Sequence, residues 1–151
     1  ACQCVRCREV RSAGTPVIDQ INSIEYETRG GRELFLSMDT VDGKLAGFLR
    51  LSLPSIDPAD LTSLTEFSGA AIIREVHVYG PVVEIGREGQ AGQAQHSGLG
   101  TKLIAAAETL TRAAGYRRLA VISAVGTREY YRKQGFVLEK LYMTKTVTPA
   151  V

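Results

Sequence analysis

The sequence predicts an α/β fold of the α+β kind: a mixed, mostly antiparallel sheet flanked by helices, with a splayed cleft beside its one crossover. Three observations carry this. Alternating apolar and polar runs are separated by Gly30-Gly31 and Asp42-Gly43, which marks an antiparallel meander. A glycine turn, Gly98-Leu99-Gly100, opens a segment whose apolar residues recur at helical spacing. A buried-type strand follows that helix directly, so strand, helix and strand make a crossover unit with parallel strands.

Taken in order, Ile18–Ile24 reads as a short helix or an irregular lead-in, and Ser23–Thr28 as the first strand. In Arg32–Asp39, Leu34, Leu36 and Met38 share one face, and Glu33, Phe35 and Ser37 the other. In Lys44–Leu53, Leu45, Leu49, Leu51 and Leu53 share a face with Gly47, and Pro54 ends the run. This is a meander with one face buried. Ser55–Gly69 is polar and reads as a loop with one helical turn. Ala70–Tyr79 is a strand with Ile73, Glu75, His77 and Tyr79 on one face, either a solvated face or a cleft wall. Gly80–Gln95 is rich in Gly and Gln and reads as a loop, with Val82–Ile85 briefly paired. Leu99, Leu103, Ala107, Leu110 and Ala114 make one helical stripe, Glu108 and Arg112 an i,i+4 pair opposite it, and Gly115 a stop. Arg118–Ala124 is a buried strand. Thr127 caps a helix running to Gly135, and Phe136–Val147 is a final, bent strand.

Composition bounds the class. With 151 residues, 44% hydrophobic and 23% charged, the chain is one folded domain with a sizeable core. Its net charge of +2 and pI of 8.5 are too balanced for nucleic-acid binding by bulk charge, while leaving room for a local basic patch. The apolar runs fall far short of the ~20 residues that span a bilayer, and no secretory signal is visible, so the expectation is a cytoplasmic protein without a membrane partner.

All three cysteines lie in the first seven residues, Cys2, Cys4 and Cys7. Cys4 and Cys7 have the C-x-x-C spacing that lets two thiolates reach one zinc ion, and Cys2 supplies a third ligand. The fourth is left among His77, His96, a carboxylate, water or a residue upstream. The competing reading is three free thiols at a frayed end. Arg6, Arg8 and Arg11 make the stretch basic, either as a solvated face or as phosphate contacts.

Gln95-His96-Ser97-Gly98-Leu99-Gly100 lies between a strand and a strong helix. Free N–H groups at such a helix start point toward an anion, most naturally a pyrophosphate. The run fits neither the P-loop nor the G-x-G-x-x-G pattern but does fit Q/R-x-x-G-x-G/A. Downstream stands Tyr130-Tyr131-Arg132-Lys133-Gln134-Gly135-Phe136. Together these resemble the GNAT acetyltransferase superfamily over roughly Ser23–Val147. The opening Cys-x-Cys-x-x-Cys-Arg-Glu, Arg74-Glu75-Val76-His77-Val78-Tyr79-Gly80 and Ala120–Arg128 sharpen the match. They resemble the C-terminal acetyltransferase-like domain of the catalytic subunit of Elongator, in its bacterial or archaeal form.

The resemblance implies an acyltransferase that helps to add a carboxymethyl-type group to C5 of uridine 34 in the tRNA anticodon. It implies acetyl-CoA as co-substrate, zinc at the cysteines, and a radical-SAM partner domain holding an iron–sulfur cluster and S-adenosylmethionine. That partner half is absent from this sequence, which therefore reads as an excised domain: residues 1–22 a cysteine-rich junction, residues 23–151 the GNAT-like domain with its splayed acetyl-CoA cleft. The co-substrate would be held by Val76, His77, Val78, Gln95, His96, Ser97, Gly98, Leu99, Gly100, Thr101, Tyr130 and Tyr131. Glu75 is the candidate general base, or else a structural carboxylate paired with Arg74 or Arg128. His77 is a base, an RNA-stacking group or a hydrogen-bonded structural histidine. Tyr131 matches the tyrosine that protonates the leaving thiolate, or positions the acetyl group if the chemistry is thioester hydrolysis feeding a radical step, and Tyr130 shapes the pocket. Lys102 faces solvent. Arg6, Arg8, Arg128, Arg132 and Lys133 are candidates for tRNA phosphates. Two other readings stand beside this one: a freestanding amine or lysine N-acetyltransferase, and a non-catalytic zinc-stabilised RNA-binding module.

Overall fold

A computed structural model describes residues 2–11, 17–61, 63–79 and 98–148. A short helix α1 (Val5–Arg8) precedes the meander β1 (Val17–Thr28), β2 (Gly31–Thr40) and β3 (Leu45–Pro54). After α2 (Pro58–Leu61) and a 3-10 turn at Thr65–Phe67 come β4 (Ala70–Val78), α3 (Leu99–Ala113) and β5 (Arg118–Val121). A second 3-10 turn (Val125–Thr127), α4 (Arg128–Arg132), β6 (Val137–Leu138) and β7 (Met143–Thr146) complete the chain. The seven strands form one sheet in the order β1-β2-β3-β4-β5-β7-β6. Only β4 and β5 pair in parallel, as the crossover through α3 requires. Among the described residues no helix is long and apolar enough to cross a membrane.

The core lies between α3 and one face of the sheet. Leu34, Leu36, Met38, Leu49, Leu51, Ile73, Leu119 and Val121 meet Leu99, Leu103, Ile104 and Ala107 there. The apolar stripe of α3 is wider than the predicted one, because Gly100, Ile104 and Thr111 are buried with it. Gly115 ends α3 at φ +84°, where its N–H and that of Tyr116 cap the carbonyls of Arg112 and Thr111.

Several expectations are corrected. Ile18–Ile24 is neither helix nor irregular lead-in but part of β1, whose pairing on β2 outweighs the weak local pattern. The meander is buried on both faces of β2 and β3: Glu33, Ser37 and Phe48 are each less than a tenth exposed. Their cover comes from within that face, where Phe35 stacks on Phe48 at 5.1 Å and Tyr26 donates a hydrogen bond of 2.8 Å to Glu33. Burial, then the Glu33 hydrogen bond and charge, push the Tyr26 phenol above its ordinary pKa. Glu108 does not pair with Arg112; it binds Lys145 of β7, which reaches across from the sheet. The strand predicted to Ala124 stops at Val121, and the helix beginning at Arg128 ends at Arg132 rather than Gly135. Thr127 precedes that helix without a side-chain cap bond; its hydroxyl donates to the Ala124 carbonyl instead. The single bent strand Phe136–Val147 is two short strands. Glu66 accepts the Leu141 N–H at 3.1 Å and Tyr142 packs edge-on to Phe67, so the chain turns between them. The predicted pairing of Val82–Ile85 lies outside the described residues.

Candidate functional site

The site is built on a defect in β4. Arg50 pairs with Glu75 and the next residue, Leu51, pairs with Ile73, so Arg74 is an extra residue and a β-bulge. The bulge flips side-chain parity. Ile73, predicted to share a face with Glu75, His77 and Tyr79, instead enters the core beneath α3, at 1% exposure. Glu75 and His77 stay on the opposite face of the sheet.

Pairing to β5 covers only Ala70–Ile73. Beyond the bulge, β4 has β3 on one side and, among the described residues, no pairing strand in the lane on the other. The Tyr79 N–H donates to Ala46 O at 2.8 Å on the β3 side. Backbone polarity alternates along a strand, so the N–H and C=O groups of Val76 and Val78 point away from β3, into that lane.

The lane leads to the start of α3. The first intrahelical bond runs from Lys102 N–H to Gly98 O at 2.9 Å, and Gly98 has no side-chain cap bond. The N–H groups of Leu99, Gly100 and Thr101 lie in the first turn, ahead of that bond, as donors for an anion. A Cβ on Gly100 would sit 2.5 Å from the Tyr130 hydroxyl and 3.6 Å from Val78 Cγ2, so glycine is what lets the phenol reach the helix start. Lys102 is half exposed and pairs with Asp19 of β1 at 2.5 Å rather than facing solvent alone. Gln95, His96 and Ser97 lie outside the described residues.

The tyrosine pair divides its positions. Tyr131 is buried against Phe136, ring centroids 5.6 Å apart, and Tyr130 crosses it edge-on at 5.4 Å. Burial, then the neighbouring Tyr130, raise the pKa of Tyr131. Tyr130 has its hydroxyl placed against Gly100 of α3.

Glu75 is about one-third exposed, and its carboxylate lies 3.0 Å from His77 Nε2 and 3.3 Å from Arg50 Nε. The latter is an ion-pair contact outside hydrogen-bond geometry, since Arg50 Nε is buried with no hydrogen-bond partner. Neither expected partner of Glu75 is used. Arg74 turns to Glu33 at 3.3 Å, and Arg128, with a buried Nε that has no hydrogen-bond partner, pairs with no carboxylate among the described residues. His77 stacks on Phe48 at 5.2 Å, and Tyr79 lies 6.3 Å from His77. The row Phe35, Phe48, His77, Tyr79 was missed in the sequence because only strand register makes these residues neighbours. Arg50 was missed for the same reason.

The thiols of Cys2, Cys4 and Cys7 lie within 4.8 Å of one another, exposed and unbridged. The Cys7 backbone amide, then the Cys2 and Cys7 thiols, hold Cys4 below the ordinary thiol pKa, while hydrogen bonding with Cys4 pushes Cys7 up. Three soft ligands at this spacing suit tetrahedral zinc. His77 does not join them. Of the candidate phosphate-binding residues, Arg8 is committed to Asp39 at 2.9 Å and Arg132 to Glu129 at 3.3 Å. Arg6 and Lys133 are exposed and carry no ion pair among the described residues.

A family profile described as "Acetyltransferase (GNAT) family" matches residues 7–136. The tRNA uridine(34) acetyltransferase of Dehalococcoides mccartyi is 42% identical over 95% of this chain and 32% of its own length. The Elongator complex protein 3 of Drosophila melanogaster is 40% identical over 93% of this chain and 27% of its own. The chain thus spans about a third of the curated relatives it matches. The solved structure of the archaeal Methanocaldococcus infernus Elp3, with an N-terminal deletion, superposes with a TM-score of 0.73 at 30% identity, covering 97% of this chain and 36% of that one.

Proposed function

This chain belongs to the acetyltransferase (GNAT) family, and from that premise we propose that it is the acetyl-CoA-binding part of a tRNA-modifying acyltransferase. Its product is a carboxymethyl-type group on C5 of wobble uridine 34, made with a radical-SAM domain that holds the iron–sulfur cluster and S-adenosylmethionine. The observation that carries this reading is the side of β4 at Val76 and Val78, which pairs with no described strand and lies beside the start of α3, where Gly98 makes no side-chain cap bond. A pantetheine arm is an extended chain with two amides, and a pyrophosphate is the anion that such a helix start accepts. The names of the relatives support the tRNA substrate.

Bound acetyl-CoA supplies an acetyl group activated as a thioester. Val76 and Val78 align the arm through backbone hydrogen bonds, and Gly98 to Thr101, with Gln95, His96 and Ser97, hold the phosphates. Glu75 takes the proton of the attacking water while the water oxygen bonds to the thioester carbonyl carbon. The carbon–sulfur bond breaks, and Tyr131, protonated at neutral pH as a phenol is, gives its proton to the sulfur. Glu75 returns its proton to the phenolate through solvent, so free thiol and acetic acid, which ionises to acetate and one proton released to solvent, are the balanced products of this half-reaction. His77 holds Glu75 in place, and Tyr130 shapes the pocket above Gly100. Cys2, Cys4 and Cys7 hold zinc, which closes the N-terminal knuckle. Arg6, Arg128 and Lys133 are the cations left to meet tRNA phosphates, since Arg8 and Arg132 are already paired.

Calorimetric titration with acetyl-CoA and desulfo-CoA, with and without tRNA, tests the proposal. Binding of both nucleotides is expected. No binding under any condition overturns it, and rapid thiol release onto a simple amine would favour an N-acetyltransferase instead.

A further inference from the structure

The cysteine-bearing segment does more than precede the domain. Val10 is 7% exposed and belongs to the main core. Its N–H donates to Leu45 O at 3.1 Å, and Glu9 makes a parallel bridge with Leu45. The adjacent carbonyl, that of Ala46, receives the Tyr79 N–H, one residue beyond the end of β4. Consecutive carbonyls normally point to opposite edges of a strand. Here β3 carries a register shift, Met38 pairing with Gly47 and Asp39 with Leu45, which leaves Ala46 as the extra residue. Residues 8–10 and β4 therefore enter one lane beside β3 from opposite ends and meet. The charge of Glu9 is felt at the Tyr79 phenol, where it follows burial among the causes that raise its pKa. With that slot on β3 filled, the Leu45 carbonyl is taken by Val10 and Tyr79 is the last residue of β4 that β3 receives, at the mouth of the lane described above.

The same segment is clamped from its other side. Arg8 bonds to Asp39 at 2.9 Å and to Gly43 O at 3.3 Å, and Lys44 Nζ reaches Cys7 O at 3.5 Å. Cys7 is two residues from Glu9, so any ligand that gathers the three thiols fixes the end of this wedge.

We infer that residues 8–10 are a positioning wedge that fixes the Tyr79 end of β4 on β3, and that metal binding at Cys2, Cys4 and Cys7 is thereby coupled to acetyl-CoA binding in the cleft. The inference rests on the acetyl-CoA reading for its second half only. Allosteric coupling of this kind is reciprocal, so acetyl-CoA tightens zinc binding by the same factor.

The test uses the whole chain with zinc alone as probe, loaded or chelated. Amide hydrogen exchange is read at Val10 and Tyr79, with Leu34 and Leu36 in β2 as reference, and acetyl-CoA affinity is measured in both states. Chelation is expected to speed exchange at Val10 and Tyr79 by about tenfold, to leave β2 unchanged, and to weaken acetyl-CoA by about fivefold. Asp39→Ala, which releases the clamp without touching a cysteine, is expected to keep zinc bound while abolishing its effect on affinity. Stoichiometric zinc binding with Tyr79 exchange unaltered overturns the inference, as does failure to bind zinc. Should acetyl-CoA not bind in either state, the functional proposal falls, and exchange at Tyr79 still decides the coupling.

Discussion

β3 and β4 are neighbours of similar length in one sheet, yet they do opposite work. β3 is paired with β2 over Leu45–Pro54 and with β4 over Gly47–Ser52, and Leu45, Leu49 and Leu51 are wholly buried. β4 is equally enclosed as far as Ile73, then bulges at Arg74 and loses β5. Enclosed strands satisfy every backbone group internally and contribute stability. A strand missing one neighbour keeps a row of backbone donors and acceptors for something else. The difference teaches that this fold separates a supporting strand from the proposed binding strand beside it, and that one inserted residue draws the line.

The strongest way to break that contrast is Leu49→Ala on the supporting side. It removes a fully buried side chain beneath α3 and is expected to cost about 2–5 kcal/mol in urea denaturation. Val76→Ala, one pair across on β4 and only partly buried, should cost clearly less, and equal losses would erase the distinction. Gly100→Ala reverses the pattern. The new methyl displaces the Tyr130 hydroxyl from the helix start, so acetyl-CoA affinity should fall about tenfold by calorimetry while the melting temperature moves by only a few degrees.

A smaller effect reads the packing behind the cleft by pH. Tyr131 has a raised pKa in the folded chain, so the unfolded chain releases this proton first as pH rises. Its contribution is therefore fully present below about pH 10, the unfolded tyrosine value, and is lost above it. Alkaline denaturation profiles of Tyr131→Phe should be flatter above pH 10 than those of the unaltered chain and parallel to them at neutral pH. The least effect belongs at the far edge of the meander. Arg32 and Glu25 form a half-exposed pair at 2.8 Å, so Arg32→Ala should cost roughly 0–1 kcal/mol, falling further in high salt.

Much of this was legible in one dimension, for reasons that differ by element. Alternation and glycine turns announced β2 and β3, and the helical stripe announced α3, because local period follows from side-chain geometry. The knuckle spacing, the Gly98-Leu99-Gly100 turn and Tyr130-Tyr131 were visible as short motifs. The first strand was partly misread, because its long pairing with β2 leaves no strong local pattern over Ile18–Ile24. The Glu75 partners were misassigned to Arg74 and Arg128, because a bulge has no signature in composition and turns Arg74 toward Glu33 instead. Glu108 found Lys145 rather than Arg112, a choice made between elements that are 37 residues apart.

The sequence by itself determined the class of this domain, its strand–helix–strand crossover and the residue types available for chemistry. These depend on periodicity, turn chemistry and motif spacing, which act within a few residues. The tertiary structure decided which of those residues meet: the bulge that divides Ile73 from Glu75, the side of Val76 and Val78 that no described strand pairs with, the Tyr130 hydroxyl over Gly100, and the meeting of Val10 and Tyr79 at adjacent carbonyls of β3. Each depends on register between segments far apart in the chain, and a shift of one residue there exchanges one face of a strand for the other.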